Sequence, residues 1–170
     1  QTCALPILQV PVGEEDKFEG VVDLLGMKAY RFEGSMGEVV VEGEIPADMM
    51  DEAKKYRAEL IEKIVEQDDV LMSDYLEGKE PTLDVLKATL RKATLAVKLV
   101  PVFAGSALKN KGVQLVLDGV VDYLPSPLDI PPVHGVDPKT GEDIFRGASD
   151  TEPFSALACA LAWSLFLFST

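Results

Sequence analysis

Residues 99–127 read LVPVFAGSALKNKGVQLVLDGVVDYLPSP. The apolar run over 99–104 stops at Gly105-Ser106-Ala107, and a second apolar pattern starts after Gly112 and ends at Pro125. A short unbroken apolar run ended by small residues predicts a buried strand. Apolar residues at three- and four-residue spacing predict an amphipathic helix. The order is therefore a strand at 99–104, a tight loop at 105–111 and a helix at 113–123. In open α/β sheets a ligand sits beyond the carboxyl ends of the strands, so 105–111 is where a ligand is expected.

Upstream, residues 8–12 form a short apolar strand closed by Gly13. The β-rich runs 18–25, 27–32 and 38–43, split by Gly26, Gly34 and Gly37, predict a small antiparallel sheet with tight turns. Pro46 suits the first turn of a long helix, along which Met49, Ala53, Tyr56, Leu60 and Ile64 make an apolar stripe. Its opposite face carries Asp51, Lys55, Glu59, Glu62 and Glu66. A second helix is expected at about 69–76, stopped by Gly78. A third is expected at 82–96, with Thr82 as its cap and Leu83, Leu86, Leu90 and Leu95 as its apolar positions. Residues 125–153 are rich in Pro, Gly and Asp and read as a linker.

Composition limits the function classes. The 170 residues suffice for a real core, and a 47% hydrophobic share argues for a folded chain. With 16 Lys and Arg against 29 Asp and Glu, the net charge is −13. That balance excludes a large phosphate-neutralising surface, so no DNA partner is expected and this portion faces protein or solvent. Cys3 and Cys159 lie far apart and make no disulfide framework or metal spacing. His134 stands in a Pro-rich loop and reads as a solvated histidine. The uncharged opening QTCALPI, residues 1–7, lacks the basic flank of a signal peptide and reads as a non-native scar. The uncharged run 154–168 is shorter than the ~20 residues that cross a bilayer as a helix. No membrane partner is expected, and the acidic composition suits a monomer in the cytoplasm.

Five stretches carry a resemblance: FEGVVDL at 18–24, EIPADM at 44–49, GSALKNKGVQ at 105–114, LDGVVDYLPSP at 117–127 and SDTEPFSALA at 149–158. In this order and spacing they resemble the elongation factor G family of translational GTPases, over about residues 8–157. The resemblance implies an α/β fold: the C-terminal part of a P-loop-type GTPase domain, an inserted small α/β subdomain and a truncated β-barrel start. The implied divisions are a GTPase-domain strand at 8–17, the inserted subdomain at 18–97 and the GTPase-domain strand, base loop and helix at 98–127. A linker at 128–153 and the start of a second domain at 154–170 follow. After Ala158 the family's charged strand gives way to CALAWSLFLFST, which reads as a departure from the native frame.

Guanine offers a carbonyl acceptor where adenine offers an amino donor. A backbone N–H aimed there favours guanine, and a buried unmatched donor costs about 1–3 kcal/mol. Small residues let the backbone come close. By the resemblance, Gly105 and Ser106 order the loop, Ala107 presents its N–H to the guanine O6, Leu108 covers the base and Lys109 lies beside it. The implied cofactor is GTP or GDP. Asp23-Leu24-Leu25-Gly26 fits D-x-x-G, but it lies in a strand-plus-turn pattern. Asn110-Lys111-Gly112-Val113 is rejected as N-K-x-D, because Val113 cannot accept a hydrogen bond. No G-x-x-x-x-G-K-[ST] occurs, so phosphate and Mg²⁺ ligands are absent from these residues and the segment alone is expected to be inactive. The intact parent, by the resemblance, hydrolyses GTP to promote movement of tRNA and mRNA on the ribosome. Its inserted subdomain is implied to meet the ribosomal stalk protein, with Asp51, Glu59, Glu62 and Glu66 as the candidate face. The plain alternative for that face is a solvated helix with Asp51–Lys55 and Lys55–Glu59 ion pairs. For the whole chain two alternatives stand: a stand-alone acidic interaction module, or part of a sister translational GTPase.

Overall fold

A computed structural model of the chain describes residues 4–13, 15–137, 139–149 and 151. They fall into two compact units, one ending at Leu124 and one starting at Pro125. The fold of the first is mixed α/β. Strands β1 (Gln9–Val12), β2 (Gly20–Asp23), β3 (Lys28–Glu33) and β4 (Val39–Gly43) form an antiparallel sheet in sequential order. Helices α1 (Met50–Val65), α2 (Asp69–Leu76), α3 (Leu83–Leu95) and α4 (Val113–Tyr123) follow.

Local chemistry sets these elements. Gly13, Gly34 and Gly37 end strands or turn them with φ of +83°, +91° and +62°. The Asp23 carboxylate accepts from the Leu25 and Gly26 amides at 3.2 and 2.9 Å and closes the β2–β3 turn, as the strand-plus-turn pattern of Asp23–Gly26 requires. Asp68 caps α2 by accepting from the Val70 and Leu71 amides. Thr82 holds the cap position of α3 with extended backbone, but its hydroxyl makes no capping bond. Pro46 opens a turn rather than the helix itself, and α1 begins at Met50.

Successive strand residues point to opposite faces, so Val21 and Val22 of β2, both fully buried, enter different cores. Val22 joins the larger one with Leu24, Leu60, Ile64, Leu86, Leu90 and Leu99. Val21 joins Phe18 and Phe32, with Leu115 packed against them. Arg57 of α1 ties helix to sheet by donating to the Leu24 and Leu25 carbonyls at 2.7 and 2.6 Å. Arg91 of α3 donates to the Asp122 carbonyl at 2.7 Å, and Lys87 pairs with the Asp122 carboxylate at 2.9 Å. These cations hold the C-terminal turn of α4, where exposed carbonyls favour positive charge.

Several expectations need correction. Residues 99–104 are not a regular buried strand: only Leu99 is buried, and pairing is limited to parallel bridges of Ala4 with Leu99 and of Ile7 with Val102. A strand needs continuous neighbours, and among the described residues this run has them only at those points. Leu8 links both regions, donating to the Val102 carbonyl and accepting from the Leu24 amide, each at 2.9 Å. Residues 8–17, 18–97 and 98–124 all lie in the first compact unit. Leu83 and Leu95 stay exposed at the ends of α3, and Leu86, Leu90 and Ala93 face the core. The stretch 128–153 is more than a linker, because β5 (Val133–Val136) and β6 (Asp143–Arg146) pair as a hairpin in the second unit. The expected barrel start at 154–170, with Cys159, and residues 1–3 with Cys3 lie outside the described residues.

Candidate functional site

The loop after residue 104 is built mainly from backbone. Ser106 and Lys111 exchange amide–carbonyl bonds at 2.8 and 3.0 Å, and the Asn110 amide donates to the Ala107 carbonyl at 3.1 Å. Two glycines permit this closure. A Cβ on Gly105 would sit 2.9 Å from the Lys111 carbonyl oxygen. Gly112 has φ +87°, and a Cβ there would sit 3.0 Å from the Ala104 oxygen. Only glycine tolerates such approach in the left-handed region.

The base of the loop is anchored by Lys111 and Gln114, residues of the 105–114 stretch to which the resemblance assigns no role. The Lys111 Nζ donates to the Phe18 carbonyl at 2.9 Å, and the Gln114 Nε2 donates to the Gly37 carbonyl at 3.0 Å. Gly37 lies so close that a Cβ would stand 3.0 Å from the Asn110 oxygen. The Gln114 Oε1 is buried without a hydrogen-bond partner. A polar residue at the second position of an apolar helix, and a glycine in a distant turn, are the available signals; neither reveals its partner from sequence.

Against this fixed base the tip is open. Gly105, Ala107 and Lys109 are exposed, Ser106 is half-buried and Leu108 is 90% exposed. Lys109 reaches Asp16 at 3.4 Å in a solvent-facing pair. The amides of Ala107 and Leu108 donate to no acceptor among the described residues. The loop thus presents free N–H donors beside an unpacked leucine. That arrangement can receive a carbonyl acceptor on a flat apolar body.

Helix α4 behind the loop is apolar on more than one side. Gly119 and Tyr123 are buried, whereas Leu117 and Val121 are 59% and 77% exposed. Beneath α4 lies a cavity of about 160 Å³ lined in part by Gln9, Asp23, Lys87 and Asp122. Burial pushes the Asp23 carboxyl above its ordinary value, against opposing amide donors and the Lys87 and Arg57 charges. Burial likewise raises the Tyr123 phenol. Among the described residues no cluster of His, Cys, Asp or Glu could hold a metal ion. Nor is any of their helices long and apolar enough to cross a membrane.

The acidic residues of α1 lie elsewhere. Asp51, Glu59, Glu62 and Glu66 are all exposed, and at about 100° per residue they share one side of the helix. Among the described residues neither the Asp51–Lys55 nor the Lys55–Glu59 ion pair forms, and these carboxylates are exposed.

No protein-family model matches the chain. Among solved structures, the chain is similar to the protein ttk003000868 from Thermus thermophilus, with 31% sequence identity and a TM-score of 0.65. The match covers 83% of this chain and 22% of that protein, so the chain spans less than a quarter of its relative's length.

Proposed function

We propose that the chain is a portion of a translational GTPase of the elongation factor G type, and that its 105–109 loop contacts guanine. The observation that carries this is the exposed Ala107 amide, without a protein acceptor, on a loop whose base is locked by Lys111 and Gln114. The residues fit a purine: Ala107 offers a donor for the guanine carbonyl, and exposed Leu108 offers an apolar cover. Gly105 and Ser106 hold the turn, and Lys109 borders it. The family relation rests on the five sequence stretches; the similarity to ttk003000868, which is much longer, supports only that a chain of this kind occurs inside a larger protein.

In the intact parent, bound GTP and Mg²⁺ would supply the phosphoryl chemistry. The residues present here would select the base and lend a scaffold. The exposed apolar side of α4 supports a larger parent body, since a helix apolar over most of its surface is normally covered. GTP hydrolysis would then promote movement of tRNA and mRNA on the ribosome. The free carboxylates Asp51, Glu59, Glu62 and Glu66 favour a contact with a basic partner such as the stalk protein. Left alone, that face equally supports the second reading, a stand-alone acidic interaction module.

The test is nucleotide binding by the protein encoded by the uninterrupted gene. Fluorescent GDP is expected to bind about fivefold to a hundredfold tighter than ADP, the discrimination one unmatched donor gives. Ala107→Pro, which deletes the amide, is expected to erase that preference. Equal binding of both nucleotides, or an upstream frame without a phosphate loop, overturns the reading.

A further inference from the structure

The turn between β3 and β4 lies against the loop that follows residue 104. Gly37 in that turn is buried with φ of +62°. A Cβ there would stand 3.0 and 3.1 Å from the Asn110 and Lys109 carbonyl oxygens and 3.1 Å from the Lys111 Cγ. The turn backbone is therefore packed on the three residues that follow the open tip. Asn110 passes any displacement on, because its amide donates to the Ala107 carbonyl at 3.1 Å. It stands at φ +50°, a narrow region for a residue with a Cβ, so the loop has little slack. At its far end the loop also meets the sheet: a Cβ on Gly112 would come within 3.7 Å of the Phe32 ring.

Gln114 ties the same two parts together. Its Nε2 donates to the Gly37 carbonyl at 3.0 Å, and its Oε1 is buried without a partner. An unmatched buried acceptor costs stability, and an apolar side chain of the same length would fill the place without that cost. The amide thus serves as a tie to the turn rather than as packing.

We propose that the β3–β4 turn, residues 34–38, is a positioning element for the base loop: through Gly37 and Gln114 it fixes where the Ala107 amide stands, and so sets the selectivity for guanine. This inference rests on the guanine reading above and extends it to residues that do not touch the base. Displacing the Ala107 amide would lose the bond to the guanine carbonyl and relieve the donor-to-donor clash with adenine.

The test compares two glycines of one turn. Gly34 and Gly37 both have positive φ, but a Cβ on Gly34 would first meet the Glu38 carboxylate, the end of an exposed side chain that can swing aside. Gly34→Ala and Gly37→Ala are both expected to lower the thermal midpoint, because a Cβ is strained in left-handed backbone. Only Gly37→Ala presses on the loop. By NMR on the 170-residue chain, amide exchange at Ser106, Asn110 and Lys111 is expected to quicken about tenfold or more in Gly37→Ala and to stay within about twofold in Gly34→Ala. In the protein encoded by the uninterrupted gene, Gly37→Ala is expected to weaken GDP about tenfold and to move ADP by less than about twofold, while Gly34→Ala leaves their ratio unchanged. Gln114→Met, which keeps the length and removes the donor, is expected to lower the ratio in the same way. Equal quickening in the two glycine variants overturns the proposal. So does a GDP preference that survives both Gly37→Ala and Gln114→Met, and that result leaves the guanine reading standing. Equal binding of GDP and ADP by the unaltered protein overturns both.

Discussion

Asp23 shows how one side chain serves a turn at an electrostatic cost. Its two oxygens accept from the Leu25 and Gly26 amides, while burial raises its pKa from the ordinary 3.8. In that situation the folded chain binds the proton more readily than the unfolded chain. Stability contributed at this site is therefore highest below the ordinary value and is lost as pH rises through the elevated one. Asp23→Asn removes the charge but keeps one acceptor. The difference in melting temperature, variant minus parent, is expected to rise with pH above 3.8 and then level off, because all other carboxylates cancel in the comparison. A difference that is flat or falls with pH sinks this account. The Asp23–Gly26 turn was legible from its residue types. The burial was not, because it depends on α3 and α4 residues, Lys87 and Asp122, that lie far along the chain and line the same cavity.

At the scale of elements, α2 and α4 fall where spacing and breakers place them, at 69–76 and 113–123. Their ends are set by local signals: Asp68 and Gly78 for one, Gly112 and Pro125 for the other. The 99–104 run departs from expectation because a strand is defined by its neighbours, and sequence periodicity reports only apolar character. The β5–β6 hairpin was missed for the converse reason. Its turn residues, closed by the Asp137–Gly141 and Asp137–Glu142 backbone bonds, look like linker until the short flanking runs pair. Gly119 inside α4 is another feature that sequence alone treats as a blemish. A Cβ there would overlap the Phe103 ring, so the glycine lets the helix lie against the 99–104 run. Gly119→Ala gains about 1 kcal/mol of helix propensity but forces overpacking that typically costs about 1–3 kcal/mol. Net destabilisation of about 1 kcal/mol is expected in urea unfolding, and a smaller residue at Phe103 should relieve it. A stabilised Gly119→Ala, or no rescue from Phe103→Leu, shows that the ring contact does not set the packing.

For the molecule as a whole, charge is the dominant property beyond the fold. The net value of −13 comes from 29 acids against 16 bases, so folding gathers like charges that an expanded chain holds apart. Several of the compensating pairs are weak: among the described residues, Lys28–Glu42, Lys79–Asp74 and Lys87–Asp122 have solvent-exposed side chains. Exposed pairs contribute about 0–1 kcal/mol each. The four carboxylates along α1 make no ion pair among the described residues and outnumber Lys55 on the same side, so they add repulsion. Going from about 20 mM to about 500 mM NaCl shortens the screening length from roughly 20 Å to roughly 4 Å. Long-range repulsion should fade more than contact pairs, and the thermal midpoint is expected to rise by several degrees. Glu62→Lys, which adds a base to the α1 cluster, should raise the low-salt midpoint and shrink the salt response. A midpoint that falls with salt means that the contact pairs outweigh the net charge, and that the acidic side of α1 is already neutralised in place instead of waiting for a basic partner.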